Sequence, residues 1–158
     1  MMAEVLKSAF MALFLLVPVA AGAAGDIRFA EAPLRIEMPN GNAHEFAVEW
    51  AVSPDQREHG LMYREDLGAD AGMIFDFGAE RTVLMWMKNT PLPLDMLFID
   101  AKGIVIRIEE RAEPFSENII SSGGPVRYVL EINGGRSREL GIVPGARIIA
   151  EPPAALLK

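Results

Sequence analysis

Apolar and polar residues alternate along several short stretches of the chain, a pattern that is typical of strands with one buried face. The alternation is clearest in residues 34–38 and 43–52, which flank the turn sequence Pro39-Asn40-Gly41-Asn42. In the second stretch, one face carries His44, Phe46, Val48, Trp50 and Val52. The pattern predicts a β-hairpin that packs one face into a core.

A short helix is predicted directly after this hairpin. Ser53 is a favourable N-cap, Pro54 suits the first helical position, and Asp55 places an acid in the first turn. Gly60 follows two turns later and is expected to end the helix.

The rest of the chain contains further strand patterns, one more short helix and two stretches without a period. Strands are predicted at residues 73–77, 82–88, 94–99, 104–111, 126–133 and 147–151, and a helix at residues 136–140. Residues 61–72 and 113–125 are predicted loops, and the second is long enough to be a lid, a binding loop or a mobile segment. The prediction is therefore one β-rich α+β domain of about eight strands and two short helices, an antiparallel or mixed sheet forming a compact barrel or sandwich.

The N-terminal residues have the features of a secretory signal peptide. Lys7 precedes an apolar run at residues 9–17, and small residues follow at positions 20–24, with cleavage expected after Ala23. The run is shorter than the roughly 20 residues that span a bilayer, although Glu4 leaves an uncleaved anchor open. We expect residues 1–23 to be the signal, residues 24–158 to form one domain, and the product to be periplasmic or secreted without a stable membrane span.

Composition restricts the possible partners. The chain has no cysteine, so an exported domain of this sequence depends on packing rather than on disulfides. Its net charge is -7, which disfavours nucleic acid and anionic membranes as partners. We predict no cofactor, and a small polar ligand or an envelope component as the partner.

Several short motifs in a fixed order resemble the family known as domain of unknown function 192. The motifs are Gly-Leu-Met-Tyr-Arg at 60–64, Gly-Met-Ile-Phe-Asp-Phe at 72–77, Trp-Met-Lys-Asn-Thr at 86–90, Pro-Leu-Asp at 93–95, Phe-Ile-Asp at 98–100, Gly103, Tyr-Val-Leu-Glu at 128–131 and Asn-Gly-Gly at 133–135. The resemblance covers nearly all of the chain after the signal. It implies a compact β-rich fold, often exported in bacteria, and it implies no activity.

Polar residues in apolar surroundings mark a candidate site in residues 85–100. Alternation places Asp95 on a face with Leu97 and Ile99, and an unpaired carboxylate there would be costly. Lys88, Arg64 and the backbone amides of the corner at residues 89–93 are its candidate partners. The alternative is that Asp95 is structural and fixes that corner through hydrogen bonds.

Glu131 is the second carboxylate on a largely apolar strand, and Asn133 follows it before a Gly-Gly break. If its strand lies beside that of Asp95, the two carboxylates could converge with Lys88, Asn89 and Arg64 in one cleft, as acid-base chemistry on a glycan or peptide requires. The alternative is an inert ion pair of Glu131 with Arg127 or Arg64.

Soft-metal binding and nucleophilic catalysis are weaker hypotheses. Met85 and Met87 flank Trp86, with Met73 and Met96 expected nearby, and thioethers select Cu(I), but methionine on strands usually fills a core. His44 and His59 do not have the spacing of a ligand pair. Motifs for a cysteine or serine nucleophile, a phosphate loop or a His-Glu-x-x-His zinc site are absent from the sequence.

The sequence therefore favours a non-enzymatic binding or accessory module of the bacterial cell envelope with a polar pocket and no metal. The residues predicted to bind the ligand are Arg64, Lys88, Asn89, Asp95, Glu131 and Asn133. Two alternatives stay open: an acid-base enzyme that uses Asp95 and Glu131, and a protein-interaction or assembly factor.

Overall fold

Seven strands and two short α-helices make up the part of the chain that the computed structural model describes, residues 27–156. The predicted signal peptide lies outside these residues. In chain order, the elements are β1 (Ala30–Glu37), β2 (Ala43–Ala51), α1 (Pro54–His59), β3 (Ala71–Met85), β4 (Leu94–Ile99), β5 (Val105–Ala112), β6 (Ile120–Asn133), α2 (Arg136–Leu140) and β7 (Arg147–Ala150). A 3-10 turn, Ala154–Leu156, follows β7.

All seven strands belong to one mixed sheet in the order β5-β4-β6-β3-β2-β1-β7. The pair β2 and β3 is parallel, and the other neighbours are antiparallel. The two edges also meet, because Val105 N donates to Ala146 O at 2.9 Å and Ile148 N donates to Gly103 O at 2.7 Å. The sheet is thus curled like a partly closed barrel, which confirms the predicted β-rich fold with seven strands in place of about eight.

The parallel pairing of β2 with β3 determines where α1 lies. Parallel neighbours need a crossover connection, and α1 with the following loop supplies it. Ser53 and Gln56 form a capping box at the start of α1, with Gln56 N donating to Ser53 Oγ at 3.1 Å and Ser53 N to Gln56 Oε1 at 3.0 Å. The helix ends at Gly60 as predicted, and a Cβ there would lie 3.1 Å from the Phe75 ring.

The central strands are buried on both faces. On one face, Ile74, Leu97, Leu130 and Ile132 pack with Trp50 in a cluster that we call the inner core. On the other face, Met73, Phe75, Met96, Phe98 and Val129 pack in a second cluster, the outer core. Every residue of β4 is consequently buried.

Two predicted boundaries are wrong. Residues 73–77 and 82–88 were expected to be separate strands, but β3 runs from Ala71 to Met85 with register shifts between Asp76 and Arg81 and between Thr82 and Leu84. The predicted loop at residues 113–125 is shorter, because β6 already begins at Ile120 and pairs with the end of β3. Gly78, with a φ of 79°, lies at the first of these register shifts, where the strand is irregular.

No helix within residues 27–156 has both the length and the apolar composition that crossing a membrane requires.

Candidate functional site

A groove of about 450 Å³ lies between α1, the residues that follow it, and the corner after β3. We call it the groove. Its lining residues are Ile27, Asp55, Glu58, His59, Met62, Tyr63, Trp86, Lys88 and Asn89. They combine aromatic rings with acidic, basic and amide groups, and so offer both apolar contact and hydrogen bonds.

Tyr63 and Asn89 hold each other across one end of the groove. Tyr63 N donates to Asn89 O at 2.8 Å, and Asn89 Nδ2 donates to Tyr63 Oη at 2.9 Å. Both residues have left-handed backbone conformations, with φ of 64° and 55°. Such a backbone is ordinary for Asn but costly for Tyr, and it persists only where surrounding contacts enforce it. The result is a tyrosine ring that is 68% exposed yet fixed at its hydroxyl.

Lys88 extends over the ring of Trp86, and its Nζ lies 5.1 Å from the ring centroid. This distance is within the range of a cation–π contact. The turn that carries both residues is fixed by Thr90, whose N donates to Met87 O at 3.1 Å and whose Oγ1 donates to Lys88 O at 3.1 Å. Trp86 nevertheless remains 37% exposed, so part of its ring is available to a ligand.

A smaller space of about 20 Å³, which we call the inner cavity, adjoins the groove. It shares Glu58, His59, Met62, Trp86 and Lys88 with the groove and is also lined by Met85, Thr90 and Glu131. These shared residues make the inner cavity an extension of the groove towards the outer core.

Glu131 is buried where it lines the inner cavity. It is 4% exposed, and its register partners on β3 and β4 are the apolar residues Met73 and Met96. Its carboxyl makes no hydrogen bond or ion pair with any of residues 27–156, and burial raises its pKa to about 8. The carboxyl is therefore mainly protonated at neutral pH.

Asp95 has a different environment from the predicted one. It is 0% exposed, and its Oδ1 accepts from Arg111 N at 2.8 Å and from Gly135 N at 2.7 Å. Its Oδ2 accepts from Ser137 N at 2.9 Å and from the Ser137 hydroxyl. The predicted partners Lys88 and Arg64 are thus wrong. The carboxylate ties β4 to the end of β5 and the start of α2, rather than to the corner at residues 89–93.

Arg64 lies in the loop after α1 and contacts β2, and Asn133 at the end of β6 contacts the same loop. Both guanidinium NH₂ groups of Arg64 donate to the carboxylate of Glu49 on β2. Asn133 Nδ2 donates to Leu67 O at 3.0 Å and Gly68 O at 2.9 Å. Of the predicted site residues, Lys88 and Asn89 line the groove and Glu131 lines the inner cavity, while Arg64, Asp95 and Asn133 make these other contacts.

Asp95 and Glu131 face opposite sides of the sheet. Asp95 is paired in register with Ile132, and Glu131 is paired with Met96. Ile132 and Glu131 are adjacent on β6 and therefore project to opposite faces of the sheet, and each shares its face with its partner on β4. The two carboxylates consequently share no cleft, and the predicted acid-base pair is wrong. The alternative ion pair of Glu131 is wrong too, because Arg127 pairs with Asp76 and Arg64 with Glu49.

The four methionines proposed for a soft metal lie in the outer core. Met73, Met87 and Met96 are 0% exposed and Met85 is 9% exposed, as expected of core side chains. Within residues 27–156, no cluster of three or more His, Cys, Asp or Glu side chains could hold a metal ion.

Sequence reasoning missed the contribution of α1 and its C-terminal side to the site. Asp55, Glu58, His59 and Tyr63 all line the groove. One available signal was Tyr63, a large aromatic residue in a stretch of polar and acidic residues with no strand or helix pattern.

Comparisons with known proteins agree on the fold and leave the activity undefined. Residues 35–150 match the model of the family DUF192, described as Uncharacterized ACR. A solved structure from Sinorhizobium meliloti 1021, described as a proposed transcription regulator, is 51% identical, with 79% of this chain and 97% of that chain covered and a TM-score of 0.78. A protein of unknown function from Novosphingobium aromaticivorans DSM 12444 is 33% identical, with 79% and 94% covered and a TM-score of 0.73. Among curated proteins, none matches significantly.

Proposed function

The chain belongs to the DUF192 family, and from its groove we propose that it is a non-enzymatic binding module for a small polar ligand of the bacterial cell envelope. The observation that carries this proposal is the Tyr63–Asn89 contact beside Trp86 and Lys88. Tyr63 is held there in a left-handed backbone conformation, and such strain is concentrated at binding sites.

The shape of the groove supports binding. Its volume of about 450 Å³ lies within the usual range for small-molecule sites. Its polar side chains are already positioned by contacts within the protein, as Asn89 is by the Tyr63 hydroxyl and Lys88 by the Trp86 ring. A site organised in this way loses little conformational entropy when a ligand binds.

The envelope location rests on the sequence of residues 1–23, which has the order of regions typical of an export signal. The description of the Sinorhizobium relative as a transcription regulator does not extend well to this chain. A net charge of -7 repels the phosphate backbone, whose attraction to basic proteins supplies most non-specific affinity for nucleic acid.

Trp86 can report directly on ligand binding. The chain has two tryptophans, and Trp50 is 2% exposed in the inner core, so Trp50→Phe leaves Trp86 as the sole tryptophan. We expect soluble peptidoglycan fragments, prepared with a muramidase, to change Trp86 emission saturably. Lys88→Ala and Asn89→Gly, which keeps the backbone preference for positive φ, should each weaken binding about tenfold.

Lys102→Ala is the matched control for this titration, because it removes the same charge from the exposed turn between β4 and β5. Lys102→Ala should bind the peptidoglycan fragments as tightly as the protein that carries Trp50→Phe alone. If Trp86 emission does not respond to millimolar fragments, or if the groove variants bind as tightly as the control, the groove is not the binding site.

A further inference from the structure

We propose that the ligand carries a primary ammonium group and that the carboxylate of Glu131 binds this group in the inner cavity. This inference rests on the function proposed above and specifies the chemistry that the groove recognises.

The unpaired state of Glu131 is the first observation behind the inference. A buried carboxyl group normally has hydrogen-bond partners, because leaving one without partners destabilises the fold. Glu131 is 4% exposed and its carboxyl is unpaired within residues 27–156. By contrast, the equally buried Asp95 accepts four hydrogen bonds. A structural role accounts for Asp95, whereas Glu131 lacks the partner that a ligand would supply.

The size of the inner cavity selects the kind of group that can reach Glu131. A space of about 20 Å³ holds roughly one water molecule. A primary ammonium is of similar size and can donate three hydrogen bonds. A trimethylammonium group is several times larger and donates none. The groove would then receive the rest of the ligand.

Acidic and basic side chains both line the path to Glu131. Glu58 lines both spaces and Asp55 lines the groove, so two further carboxylates lie along the path to Glu131. Among the basic neighbours, Lys88 lies over Trp86, and the Arg57 guanidinium donates to the carbonyls of Val52 and Asp76.

The remaining titratable neighbour is His59, whose ring lies 6.1 Å from that of Tyr63 and 6.4 Å from that of Phe29. The strands beside Glu131 present Met73 and Met96 at the paired positions and add no charge. An ammonium that enters the groove therefore passes Asp55 and Glu58 as well as Lys88, and reaches Glu131 at the end of the path.

Ammonium binding should be coupled to the loss of a proton. Burial raises the pKa of Glu131 to about 8, so the free protein carries a neutral carboxyl at pH 7. Binding of a cation favours the carboxylate, and the carboxyl proton leaves to solvent while the ammonium keeps its own. Affinity should rise with pH up to about 8 and then level off, since an alkylammonium titrates only near 10.4.

The test uses 1,5-diaminopentane as the probe, with 1,5-pentanediol and the bis(trimethylammonium) analogue of pentane as comparisons. Isothermal titration calorimetry at pH 7 in phosphate and in MOPS, two buffers that differ in ionisation enthalpy and carry no primary ammonium, gives the number of protons released. We expect about one proton to be released for each diamine that binds. The diol and the quaternary analogue should each bind at least about tenfold more weakly than the diamine.

Glu131→Gln keeps the shape of the side chain and should abolish both proton release and the rise of affinity with pH. Glu117→Gln is the matched control, because it removes an exposed carboxylate that lines neither the groove nor the inner cavity and should leave proton release intact. If the diol binds as well as the diamine, or if Glu131→Gln binds the diamine unchanged, the inference is overturned. Saturable binding of peptidoglycan fragments at Trp86 would in that case still uphold the proposed function.

Discussion

Asp95→Ala is expected to lower the free energy of unfolding by about 3–5 kcal/mol. The substitution leaves the backbone amides of Arg111, Gly135 and Ser137 and the Ser137 hydroxyl without their acceptor. Ser137 is 0% exposed, so water cannot readily replace the carboxylate there. Urea unfolding followed by far-UV circular dichroism would measure the loss.

Asp66→Ala provides the control for this experiment, since Asp66 is exposed in the loop after α1. It should change the unfolding free energy by less than about 0.5 kcal/mol. A loss of stability in Asp95→Ala no larger than in the control would mean that the four hydrogen bonds do not hold β4, β5 and α2 together.

The second large effect concerns the pH dependence that Glu131 gives to stability. Its pKa is raised from 4.5 to about 8 in the folded protein, so the folded state binds the proton more tightly than the unfolded state. The stability that the protonated Glu131 carboxyl gives to the folded state is fully present below pH 4.5 and is lost as the pH rises towards 8. Relative to Glu131→Gln, the wild-type protein should therefore lose several kcal/mol of stability across this interval.

Chemical denaturation of both proteins at steps of half a pH unit would measure this difference. The other titratable groups are common to both proteins, so their contributions to the unfolding free energy cancel. Glu117→Gln should keep the wild-type pH profile, because Glu117 is exposed and does not line the inner cavity. A wild-type profile parallel to that of Glu131→Gln would show that Glu131 does not titrate abnormally, and a stability that increases with pH relative to Glu131→Gln would contradict the direction of the shift.

Patterns of neighbouring residues in the sequence correctly predicted the strands and helices whose formation depends on those residues. The β1–β2 hairpin follows from alternation and a turn sequence, and α1 follows from Ser53, Pro54 and Gly60. Each of these signals acts over a few residues, so the elements could be located without knowledge of the rest of the fold.

The candidate site is formed by contacts between residues that are distant in the sequence, and local patterns could not predict these contacts. Asp95 is bonded to backbone groups 16, 40 and 42 positions away, and backbone donors leave no mark in the amino-acid sequence. Alternation placed both Asp95 and Glu131 on apolar strands, but the register of β4 against β6 decides that they face opposite sides. The groove, likewise, exists because β2 and β3 are parallel and α1 crosses between them.

The pairing of β1 with β7 has a consequence for the time at which the protein can fold. Leu34 lies opposite Ala150, so β1 finds its second neighbour only after the chain as far as β7 has been synthesised. A shorter nascent chain leaves β1 with an open edge, and closing so long a loop makes completion of the sheet slow. For a protein exported as proposed, this delay keeps the polypeptide in a state that a secretion channel can thread until β7 has crossed.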